Sequence, residues 1–180
     1  MTVSADELKA MVQYQIGALQ AFCRAQGICM QHVKPHGAMY NMASKDAVLA
    51  DAICDAILSV DQALILLGLS GSQMQQSAQK KGLRFACEVF ADRAYEEDGS
   101  LVARGKPGAM ITDEDEAVRR VIGMVKDGCV RAISGKEIPV HVDSICLHGD
   151  NPKAVAFAAR IRQALQCEQV EIAPIREILG

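Results

Sequence analysis

No tryptophan occurs among the 180 residues, and aromatic side chains make up only 4% of the chain. Proteins that grip unpaired bases need aromatic faces to stack on. The net charge is only −3, with both signs interspersed and no basic stripe. Nucleic acid is therefore not an expected partner. Long apolar runs are missing too. The longest, Ala63 to Leu69, has seven residues, far short of the ~20 that a membrane helix needs. No basic segment followed by an apolar core opens the chain, so neither a signal peptide nor a membrane is expected. Seven cysteines are present, but no two have Cys-x-x-Cys spacing. Most fall in apolar patterns, which fits buried free thiols in a reducing cytoplasm. The Gly-x-Ser-x-Gly elbow, His-Glu-x-x-His and the Walker A loop are all absent.

What is present is a globular composition, half hydrophobic and 23% charged, long enough for one domain with a real core. Ser4 and Glu7 form a capping-box pattern. Behind it Leu8, Met11, Val12, Ile16, Leu19, Phe22 and Cys23 recur at helical spacing until Gly27. Ile28 to Lys34 reads as a strand, and Ser44 to Val60 as a helix. The continuous apolar run Ala63 to Gly68 suits a strand buried on both faces of a parallel sheet. A helix over 72–81 and a strand over 83–89 follow. This alternation predicts right-handed parallel βα units.

Between Phe90 and Met110 the periodicity stops. A charged, Gly-rich stretch of this length inside a compact domain is usually functional, and its apolar insertions favour an ordered loop. Thr112 should cap a helix reaching about Lys126, with acidic residues in the first turn where the helix dipole favours them. A β-hairpin is expected over 130–142, then a strand over 144–147. Asn151 and Pro152 should start a helix reaching Gln166. Val170 to Ile172 is expected as a last strand.

Two His-Gly turns stand out, each after a strand. One is Val33-Lys34-Pro35-His36-Gly37-Ala38-Met39-Tyr40-Asn41, the other His148-Gly149-Asp150-Asn151-Pro152. The carboxyl ends of strands in α/β folds gather binding and catalytic groups. His36 and His148 are candidate acid-base groups because imidazole titrates near neutrality; each could instead brace its own loop. Lys34 could face an anion or simply lie on the surface. Asn41 could bind a substrate amide or cap the following helix. Glu88 ends the third strand, and a buried carboxylate there needs a partner such as Arg93 or Lys34. Arg104, with Lys106, could hold an anion. Asp150 could orient the His148 ring or help to cap a helix. His32 and His141 suit structural roles better.

The first of these turns, together with Glu88-Val89-Phe90-Ala91-Asp92-Arg93-Ala94-Tyr95, Leu101-Val102-Ala103-Arg104 and Leu147-His148-Gly149-Asp150-Asn151-Pro152, closely resembles the LamB/YcsF family. The likeness spans essentially the whole chain. Family members carry a further stretch ahead of these motifs, so the chain resembles the C-terminal two-thirds of a member, as a single domain over residues 1–180. The resemblance implies an α/β fold: an incomplete, distorted, deacetylase-like (β/α) barrel of mostly parallel strands with one hairpin insertion. It implies the A-subunit part in ATP-dependent opening of 5-oxo-L-proline to L-glutamate, with subunits B and C as partners. ATP, with Mg²⁺ accompanying it, would be the cofactor. Lys34, His36, Glu88, His148 and Asp150 would then be catalytic, and Asn41, Asp92, Arg93 and Arg104 would bind substrate, with no metal held by the protein. A metal-dependent amide or sugar deacetylase and a non-catalytic scaffold are the alternative readings.

Overall fold

The computed structural model describes residues 3–149 and 154–180. The chain forms two compact units, residues 1–86 with 179–180, and residues 87–178. The expectation placed on Asn151 and Pro152 as a helix start lies outside the described residues.

The first unit opens with α1 (Ala5–Ala25). The capping box is complete: the Ser4 hydroxyl accepts from the Glu7 N–H, and the Glu7 carboxylate accepts from the Ser4 N–H. That reciprocal bond holds the Glu7 carboxyl below its usual pKa. Only part of the apolar stripe is used. Leu8, Val12 and Ile16 are buried, whereas Phe22 is 74% exposed and Leu19 55%. α1 packs on α3 (Ala47–Val60), and the Gln13 amide donates to the Ser59 hydroxyl at 2.7 Å.

The expected strand over 28–34 shrinks to β1 (His32–Val33), which pairs parallel with β2 (Ile65–Leu69). β2 is buried throughout, as its unbroken apolar sequence demands. The Leu66 N–H reaches the Arg84 carbonyl at the approach to β3 (Phe85–Phe90). α4 (Gln73–Lys81) starts at the Ser72 cap and stops at Gly82, whose φ is +71°, a conformation that glycine adopts without strain.

One helix is not foreshadowed by the sequence pattern. α2 (Gly37–Ala43) begins directly after His36 and buries Tyr40 and Ala43. Gly37, at φ +62°, makes the sharp entry. The following helix does not start at Ser44. Asp46 caps it, accepting from both the Val48 and Leu49 N–H groups, and Ser44 turns its hydroxyl back to the Tyr40 carbonyl.

In the second unit the remainder of β3 pairs parallel with β6 (Ser144–Cys146), Glu88 opposite Ser144. Followed along the hydrogen bonds, the four parallel strands run β1-β2-β3-β6. β4 (Cys129–Arg131) and β5 (Glu137–Pro139) form the expected antiparallel hairpin. α5 (Glu114–Asp127) is capped by Asp113, one residue later than expected, because the Asp113 carboxylate accepts from the Glu116 N–H. α6 (Ala154–Cys167) packs on α5. Phe157, Ile161 and Leu165 join Ala117 and Val121 in one buried cluster. Each of those large side chains contributes roughly 1.5–3 kcal/mol by leaving water.

The segment 170–172 is not a strand. Val170 is turned back onto α6 by an N–H bond to the Leu165 carbonyl and packs against its apolar cluster. A ladder needs a neighbour, and alternating residues alone do not supply one. A short helix, α7 (Ile175–Ile178), follows.

Candidate active site

The loop between β3 and α5 is ordered by its own backbone. Ala94 donates to the Ala109 carbonyl, Val102 to Ala94, and Ile111 to Asp92. Isolated bridges join Arg93 with Met110 and Tyr95 with Leu101. Beneath them lies Tyr95, 1% exposed, whose phenol oxygen accepts from the Phe90 N–H at 2.8 Å. Burial pushes that phenol far above its usual pKa. Arg93, 5% exposed, donates to the Val102 carbonyl at 2.5 Å, while Arg120 donates to the Arg93 carbonyl at 3.1 Å. Burial, and then the nearby Arg104 charge, lower the Arg93 pKa. Its guanidinium serves the loop.

These fastenings deliver Asp92 to His148, which follows β6. Nδ1 of His148 lies 2.7 Å from Oδ2 of Asp92. Nε2 lies 3.1 Å from a guanidinium nitrogen of Arg104. The Phe90 ring sits beside the imidazole, centroids 5.9 Å apart. Arginine can only donate, so Nε2 must be the accepting nitrogen. Nδ1 then carries the proton and gives it to Asp92. The ring's tautomer follows from its neighbours. Asp92 and His148 side chains keep 16% and 21% of their exposure.

A cavity of about 340 Å³ opens over this group, lined by Asp92, Arg104, Asp113, Glu114, His148 and Phe157 among others. That volume lies in the range of small-molecule sites. Oδ1 of Asp92 is buried and has no hydrogen-bond partner among the described residues. A buried acceptor left so is costly.

Glu88 is buried in β3, 1% exposed. Asp150 lies outside the described residues; the carboxylate seen at the His148 ring is that of Asp92, whose spacing 56 residues away in sequence carried no local signal. In the first unit, Lys34 places its ammonium 5.9 Å from the centre of the Tyr40 ring. Asn41 donates to the Gly37 carbonyl at 3.0 Å, within its own helix. His36 is exposed at the N-terminus of α2 and makes no capping bond. Among the described residues no three His, Cys, Asp or Glu side chains converge as a metal-binding group. No helix among them is long and apolar enough to cross a membrane.

A family model described as the LamB/YcsF family matches residues 1–180. The chain belongs to that family. Its curated relatives include the A subunit of 5-oxoprolinase from Clostridium beijerinckii, 63% identical over 178 residues, covering 99% of this chain and 70% of the relative. The A subunit of 5-oxoprolinase from Pyrococcus abyssi is 51% identical over 180 residues, which cover 71% of that relative. The crystal structure of a lactam utilization protein from Thermus thermophilus matches with a TM-score of 0.86 at 44% identity, covering 96% of this chain and 68% of that one. The fold class is therefore the family's: α/β, an incomplete (β/α) barrel of mostly parallel strands with one hairpin.

Proposed function

We propose that this chain acts as the A subunit of an ATP-dependent 5-oxoprolinase, opening 5-oxo-L-proline to L-glutamate in the cytoplasm together with subunits B and C. Its family and the names of its relatives support a hydrolase acting on a cyclic amide. The observation that carries the chemistry is the His148 imidazole, held between Asp92 and Arg104 in a small cavity.

The substrate carboxylate draws the exposed Arg104 side chain to itself, since a guanidinium binds a carboxylate better than a neutral imidazole. That frees Nε2 of His148. Water gives a proton to Nε2 as its oxygen attacks the lactam carbonyl carbon, and the Asp92 carboxylate stabilises the imidazolium that forms. The same proton then passes to the lactam nitrogen as the C–N bond breaks. Binding of the acidic substrate thus unmasks the base.

The test combines this chain with subunits B and C, ATP and 5-oxo-L-proline, and follows glutamate release. Release above that of B and C alone is expected; none would overturn the assignment. Titration with 5-oxo-L-proline alone should shift the His148 ring resonance in an NMR spectrum.

A further inference from the structure

The outward face of α1 has no established role. Residues 7, 11, 14, 18, 21 and 25 follow alternating spacings of four and three, the seam of a paired helix. All are exposed, and from Met11 onward every one is apolar: Met11, Tyr14, Ala18, Ala21 and Ala25. Phe22 and Ala10 flank them, and Tyr14 and Phe22 are 77% and 74% exposed. The stripe on the helix's inner side, Leu8, Val12 and Ile16, is a different set and is already buried. A 21-residue helix is about 31 Å long, so the apolar outward face is extensive.

We propose that a second copy of this chain covers this face, with the two α1 helices antiparallel about a two-fold axis beside Ile16. The distribution of sizes argues for it. An axis there sets Tyr14 against the partner's Ala18 and Met11 against the partner's Ala21. Each large side chain meets a small one, so the contact is self-complementary as a two-fold interface must be. Charge agrees. Asp6 and Glu7 lie in the first turn and Arg24 in the last, so each acidic end meets the partner's basic end, and the helix dipoles oppose. A parallel pair would stack Tyr14 on Tyr14 and acid on acid.

Sedimentation equilibrium of the 180-residue chain over a concentration series tests the proposal. A reversible dimer in the micromolar range is expected. Tyr14→Arg and Phe22→Arg should each weaken it by at least about tenfold, without loss of helical signal, since both positions are exposed. Met11→Lys and Ala21→Glu should each weaken it, and the double variant should restore it, because the antiparallel register sets position 11 against position 21. A dimer indifferent to Tyr14→Arg, or a double variant no better than the singles, overturns the proposal. So does a wild type that stays monomeric, which leaves the face to the stretch that the longer relatives carry.

Discussion

The two His-Gly turns look alike in sequence and differ in structure. His36 meets a helix at once. Gly37 bends the chain, α2 begins, and the imidazole is left exposed with no capping bond. His148 has an oxygen acceptor on one ring nitrogen, a guanidinium on the other and an aromatic ring beside it. What separates them is the long loop after β3. In the second unit it folds back as a braced wall and supplies both Asp92 and Arg104. No such loop lies between β1 and α2. A histidine at a strand end is held at both ring nitrogens only when distant chain is brought to it.

Removing the better-held histidine should have the largest effect. His148→Ala should lower kcat for glutamate release, assayed with subunits B and C, by at least about 10²-fold. Rates near wild type would remove His148 from the chemistry. Asp92→Asn comes next. The amide can donate to Nδ1, which drives the proton to Nε2, where it confronts Arg104. A loss of about 10- to 100-fold is expected, with an altered pH–rate profile and an unchanged fold. Arg104→Ala should act mainly on binding, raising KM about tenfold with a smaller drop in kcat. An equal loss in kcat and kcat/KM would instead assign Arg104 to the transition state.

How much of this is legible in the sequence follows the same division. Elements written in local signals are readable: the Ser4–Glu7 box, the buried run that forms β2, and the end of α4 at Gly82. Boundaries slip where two capping residues compete, as with Ser44 against Asp46 and Thr112 against Asp113. The segment 170–172 imitates a strand because its residues alternate, but a strand is a property of two segments. His148 is visible from its turn. Asp150, the carboxylate expected beside it, lies outside the described residues, and nothing local in Asp92 announces a partner 56 residues away. The resemblance names the right set of motifs, but only the bridges within the loop bring Asp92 and Arg104 to one ring.

The brace can be tested apart from the chemistry. Tyr95→Phe keeps the ring and removes the oxygen that accepts from the Phe90 N–H. A buried donor left without its partner costs about 1–3 kcal/mol, and chemical denaturation should show a stability loss within that range. Activity should fall further than stability alone explains, since Phe90 is the ring beside His148. A variant as stable as wild type would mean that the loop stands without this bond.

The smallest change in stability is expected at the other turn. His36→Ala removes an exposed ring that caps nothing, so unfolding should shift by less than about 0.5 kcal/mol. That near-neutrality is informative, because the fold would not be what keeps a histidine there. Any change in glutamate release by this variant could then be assigned to contact with substrate or with another protein of the complex. A stability loss above about 1 kcal/mol would show instead that the turn depends on its imidazole, and the contrast between the two histidines would narrow to one of degree.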